Sequence, residues 1–188
     1  MNKAALHSIL APGLFIKQLP AAGIKALSWK EPYATLMLHR KIETRVWDTA
    51  YRGWVLICTS KQPYTFEAVN NKISGSHQTN RIFVETLGLD NFADNKMYDY
   101  SLGNAIAIGC LTDTWEMRPE DEDSCFVEYK VPWAETVTSK KTGKTREVIK
   151  RLYCHKYEDV YAIKPFAWAG KLGFTPLTAE QKNKITLL

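Results

Sequence analysis

Between Ile24 and Lys61 the chain places an apolar run, a proline-started helix, a dense charged segment and a second apolar run in immediate succession. Few folds accommodate that order. The second run, Trp54 to Cys58, is almost continuously apolar, as a strand buried on both faces requires. The charged segment, Arg40-Lys41-Ile42-Glu43-Thr44-Arg45, lies between two stretches that must both be inside. Its charges are therefore expected to ring a concavity at the base of a small β-structure rather than to sit on a tail.

Ile24 to Trp29 reads as the first strand. Glu31-Pro32 opens a short helix, with proline at a tolerated first-turn position, and Tyr33, Leu36 and Met37 recur at helical spacing toward the core. From Ile42 to Trp47 charges alternate with other residues, so period two puts Lys41, Glu43 and Arg45 on one face. Residues 64 to 87 carry helical periodicity, and 90 to 103 read as loop. Asn104 to Trp115 is a strand. Glu120 to Asp123 is a solvated surface or a helix start. Residues 126 to 138 and 145 to 153 read as two arms of a hairpin, with Thr142-Gly143 at its turn. Tyr157 to Trp168 is a last strand region. Short strands with two or three helices give an α+β class and a small mixed β-barrel with flanking helices.

With 188 residues and 45% hydrophobic content the chain is one domain, or one domain with insertions, and needs no covalent staples. The formal charge of +5 permits a phosphate-bearing partner without demanding one. Cys58, Cys110, Cys125 and Cys154 show no C-x-x-C pairing, which argues for a reducing, cytoplasmic setting and against a disulfide framework. Cys154-His155 lacks zinc spacing, so no metal is expected. No apolar run approaches the roughly 20 residues of a membrane span, and His7, Pro12 and Lys17 break up the N-terminal stretch that would mimic a signal peptide.

The candidate chemistry gathers around the charged segment. Arg40, Lys41 and Arg45 supply positive charge, and Glu43 either orients Arg45 or accepts from a base N–H. Tyr33, Trp47 and Tyr51 offer stacking or wall surface, and Lys30 and Lys61 stand at the rim. The competing reading is a salt-bridge network that closes the barrel. A second feature is the arm KKTGKTREVIKR, whose Lys140, Lys141, Lys144 and Arg146 suit a phosphate backbone or a solubilising loop. Catalytic motifs are absent: there is no H-E-x-x-H, G-x-S-x-G, P-loop or G-x-G-x-x-G. If the chain is an enzyme, Lys41 and Glu43 are the residues to act. No cofactor is expected.

The segment from Ile24 to Lys61 resembles the ASCH family of the PUA-like superfamily. The resemblance rests on the helix start Ser28-Trp29-Lys30-Glu31-Pro32-Tyr33, on Glu43 and Arg45 of a G-x-K-x-x-E-x-R signature, on Trp47-Asp48-Thr49-Ala50-Tyr51-Arg52-Gly53, and on the closing Ser60-Lys61. Leu38 stands at the signature's glycine and Arg40 at its lysine. The resemblance implies a PUA-like barrel over residues 23–175, with an N-terminal extension over 1–22 and a C-terminal tail over 176–188. A helical insertion near 62–100 and a basic hairpin near 138–151 would interrupt the barrel. It implies RNA or modified-nucleotide binding in a cleft beside the first helix. Some relatives look like amidohydrolases of acetylated cytidine, with lysine where Arg40 stands and threonine where Glu43 stands. Arginine is a poor base, so that alternative would need Lys41 in a shifted role. A third alternative is a protein-interaction module using the helical insertion.

Overall fold

The chain is described by a computed structural model over residues 16–62, 81–87, 101–170 and 173–188. The N-terminal extension before Ile16 and most of the expected helical insertion lie outside the described residues.

Eight strands occur among the described residues: β1 Lys25–Trp29, β2 Glu43–Arg45, β3 Gly53–Thr59, β4 Asn104–Glu116, β5 Trp133–Thr138, β6 Thr145–Lys150, β7 Tyr153–Ala167 and β8 Thr175–Pro176. Six of them form one curled, half-barrel sheet in the order β2-β7-β4-β3-β1-β8, and β5 and β6 form a separate ribbon. Short helices α1 (Tyr33–Leu36), α2 (Glu122–Cys125) and α3 (Ala179–Asn183) flank the sheet, giving a mixed α+β fold dominated by strands.

The continuous apolar run of β3 is explained by its position. Every residue from Trp54 to Thr59 is buried. Leu56 and Cys58 pack with Ile24, Ile108 and Trp168 on one side, while Val55 and Ile57 pack with Leu27, Trp29 and Tyr157 on the other. β3 runs parallel to β1, from Lys25↔Val55 to Trp29↔Thr59. A parallel pair cannot be joined by a tight turn, and the intervening α1 and β2 make the crossover. Leu36 and Met37 are fully buried and Tyr33 half-buried, as the helical spacing requires. The first turn of α1 is held by Glu31, whose carboxylate accepts from Thr35 N at 3.0 Å and Thr35 Oγ1 at 3.1 Å. Glu31 is itself fully buried. Burial pushes its pKa above the ordinary value, and the Thr35 hydrogen bonds pull in the opposite sense.

β4 and β7 are the long strands that curl the sheet. Their pairing shifts register at Ala105/Ala107, Ile108/Cys110 and Leu111/Asp113, and such bulges bend and twist a strand. The acidic run near Glu120 starts α2, where negative charge suits the helix N-terminus. The segment 176–188 packs into the core. Leu177 and Ile185 are buried, Leu187 bridges Ile163, and a reciprocal pair of hydrogen bonds between Thr178 and Gln181 caps α3. No helix among the described residues is long and apolar enough to cross a membrane.

The expected hairpin is the β5–β6 ribbon, paired from Trp133↔Lys150 to Thr138↔Thr145. Its turn uses Gly143 at φ +67°, a left-handed conformation that glycine adopts without penalty.

Candidate functional site

α1 runs into a 3-10 turn, Met37–His39, which ends at Arg40 in the left-handed region (φ 61°, ψ 24°). That turn reverses the chain. Lys41 N then bonds back to Leu36 O at 3.2 Å, and Ile42 N bonds across to Ser124 O at 2.9 Å. The strand that follows presents Lys41, Glu43 and Arg45 on one side, as period two dictates.

These three side chains form a cation–anion–cation chain. Lys41 Nζ donates to Glu43 Oε2 and to Ile42 O, each at 2.9 Å, and lies 5.2 Å from the centre of the Tyr33 ring. Glu43 Oε1 faces Arg45 Nε at 3.0 Å. Arg45 Nη2 donates to Ser28 O at 3.2 Å, and its guanidinium sits over Trp29, 5.1 Å from the ring centre. Lys41 and Glu43 are buried, while Arg45 keeps 22% of its side chain exposed. Burial pushes the Glu43 carboxyl up, but Lys41 and then Arg45 outweigh it and hold the group below the usual carboxylate range.

The chain of charges floors an open cleft of about 670 Å³, a size that takes a small ligand. A parallel pair leaves both strand C-termini on one side, and here Trp29, Lys30 and Ser60 reach the cleft from the ends of β1 and β3. Tyr33 enters from α1, and Trp47 from just past β2. Val127, Lys130, Trp133 and Leu152 close the far side. Ser28 Oγ is buried on this wall without a protein partner. Behind β2, on β7, the Tyr157 hydroxyl and His155 Nδ1 also lack one. Tyr157 packs edge-on to Trp29 at 6.0 Å, and burial first, then the nearby Glu43 charge, raises its pKa. His155 lies opposite Glu43 in the β2–β7 ladder. Its Nε2 is 3.1 Å from Trp47 O and its ring is edge-on to the indole at 4.9 Å, so it fixes the position of Trp47.

Of the residues expected at the site, Lys30, Tyr33, Lys41, Glu43, Arg45 and Trp47 line the cleft together. Arg40, Tyr51 and Lys61 do not. Arg40 is exposed beyond the end of α1, and Lys61 is exposed beside Gly103. The Tyr51 hydroxyl is directed to Gly23 O at 3.0 Å and Trp54 O at 2.8 Å, where it ties the loop before β3 to the body. Ser28, Lys130, Trp133 and Leu152 were not anticipated. The last three come from sequence far beyond the charged segment, and no local pattern ties them to it.

Chemically, Glu43 has a cation on each oxygen and little acceptor capacity to spare. Lys41 Nζ is held between an acid, a carbonyl and a ring. The groups facing the open volume are therefore mainly donors and aromatic surfaces: Arg45, Lys30, Tyr33, Trp47 and Trp133. Among the described residues no cluster of three or more His, Cys, Asp or Glu side chains is arranged to hold a metal ion. No protein-family model matches the chain, and no curated protein matches it either.

Proposed function

We propose that the cleft binds RNA, or a nucleotide derived from it, and that the domain is a PUA-like barrel of the ASCH type. The observation that carries this reading is the Lys41–Glu43–Arg45 chain lying on the floor of a cleft of about 670 Å³. A sealed ion cluster would leave no such volume above it. In this reading Glu43 holds the guanidinium of Arg45 in place, and Arg45 offers its remaining N–H groups to the ligand. Lys30 adds charge at the rim. Tyr33, Trp47 and Trp133 supply faces for a planar base. A donor-rich site favours a ligand edge made of carbonyl or phosphate oxygens.

Filter binding of labelled RNA across a salt series tests the proposal. Affinity should be measurable at low salt, and Arg45→Ala should weaken it by about tenfold or more, as expected for losing one charged hydrogen-bonding partner. Binding unchanged in that variant would overturn the reading. The hydrolase alternative draws no support from Lys41, whose Nζ is engaged by Glu43 and Ile42 O. Incubation with acetylated cytidine should give no turnover.

A further inference from the structure

We propose that the β5–β6 ribbon is a second binding element, a track for the phosphates of a single RNA strand whose one base sits in the cleft. The inference rests on the cleft reading above, and three observations carry it.

The ribbon springs from the cleft rim. Lys130 and Trp133, where the chain runs into β5, and Leu152, just after β6, all line the cleft. A strand emerging there meets the ribbon next.

The ribbon has two unlike faces. Directly opposed residues of an antiparallel pair share a side. Trp133/Lys150, Glu135/Val148 and Val137/Arg146 therefore share the cleft-side face, and Ala134/Ile149, Thr136/Glu147 and Thr138/Thr145 share the other. Both basic residues within the paired strands, Arg146 and Lys150, lie on the Trp133 face. The back face carries a single charge, the acid Glu147. Trp133, Val137, Val148 and Lys150 are half-buried, whereas the back face is exposed throughout, so the cationic side is the one turned inward.

The ribbon's charge is unspent and its packing does not explain it. Lys140, Lys141, Lys144 and Arg146 are exposed at and near the tip, with no ion-pair partner among the described residues. Neither strand pairs with the main sheet, and a two-stranded hairpin is marginal on its own. Six residues of strand rise roughly 20 Å, enough to follow several phosphates. Half-buried Trp133 at the base is a stacking platform between cleft and track. The strand must be single, because a stacked, paired base cannot enter the cleft.

The test compares two variants of the full chain with equal charge change. K144Q/R146Q/K150Q strips the front face, and A134E/T136E/T145E adds acid to the back. Matching thermal melts establish that both fold. Binding is measured for a labelled single-stranded RNA octamer of mixed sequence, for the four ribonucleoside monophosphates, and for a blunt RNA duplex of the same length. The front variant should weaken octamer binding by about tenfold or more at low salt. It should also reduce the slope of log K against log salt by roughly 2, near 0.7 per contact for single strands. The back variant should weaken octamer binding several-fold less than the front variant, and that residual effect should fade as salt approaches about 0.15 M, while monophosphate binding should match wild type in both. Equal loss in the two variants, no loss in either, or duplex binding as tight as octamer binding would overturn the proposal. Monophosphates that bind wild type as tightly as the octamer would overturn the ribbon alone. No binding of octamer or monophosphate by wild type would overturn the cleft reading and this one with it.

Discussion

Lys41 Nζ and Glu43 Oε2 stand 2.9 Å apart with side chains 1% and 7% exposed, so the cleft floor is a buried ion pair. Taking two charges out of water is costly, and removing one partner leaves the other buried and uncompensated. Glu43→Leu should therefore destabilise the fold by ~3–5 kcal/mol. The Lys41→Met/Glu43→Leu double variant should regain more than half of that loss, since neither buried charge remains. Urea denaturation of the three proteins measures this. A double variant as unstable as the single one would mean that the pair is not coupled.

Arg40 provides a second, local test. Its left-handed backbone (φ 61°) terminates the helical segment, a position where glycine is favoured. Arg40→Gly should raise stability by about 0.5 kcal/mol, the relief at positive φ slightly exceeding the added freedom of the unfolded chain. Because the side chain does not line the cleft, RNA affinity should hold. A loss of affinity in filter binding would bring Arg40 into the interface.

Acid should weaken the fold in two stages. Burial holds the His155 imidazole below its ordinary 6.5. The unfolded chain thus takes up the proton first, and stability falls as pH drops below about 6.5. Glu43 is held below its ordinary 4.5, so its contribution is complete above that pH and is lost as pH falls through its lower folded value. Glu31 works in the opposite sense. Its raised pKa favours the folded state at low pH, and that contribution fades as pH rises through the folded value. His155→Gln should abolish the first stage and leave the second. A denaturation series from pH 8 to pH 3 reads both.

The thiols should differ sharply in reactivity. Cys125 and Cys154 are buried with sulfurs 3.6 Å apart, and Cys58 is buried in β3. The Cys125 contact and then burial push the Cys154 thiol up, and burial alone does so for Cys58. Thiolate, not thiol, is the reactive form. A disulfide reagent should label half-exposed Cys110 within minutes in the native protein and all four cysteines after denaturation. Fast native labelling of Cys125 or Cys154 would contradict the packing described.

The legible parts of this fold are those where period and composition coincide. The unbroken apolar run of Trp54 to Cys58 marked a strand covered on both sides, and β3 is that strand. Alternation from Lys41 to Arg45 put three charges on one side, and they meet there. Thr142-Gly143 marked the ribbon turn. The other cleft wall was not legible. Leu152 reaches the site where β7 pairs with β2, and Lys130 and Trp133 follow α2, whose Ser124 carbonyl accepts from Ile42 N; no residue near Glu43 encodes either contact. Tyr51 was misleading for a related reason. An aromatic beside basic residues reads as a ligand wall, but its hydroxyl finds two backbone carbonyls, and satisfying them fixes the ring elsewhere. The segment 176–188 has a polar composition, yet a few apolar side chains among those residues, Leu177 and Ile185, suffice to bind it to the core.

The two neighbours of β1 arrive at very different times during synthesis. β3 follows soon after it, whereas β8, which pairs Lys25 with Pro176, is made long afterwards, following every other strand described above. Until then the outer edge of β1 is bare backbone, ready to pair with any extended segment nearby. A nascent chain stalled before β8 would be prone to clump, and chaperone capture should therefore concentrate on intermediates that lack that strand.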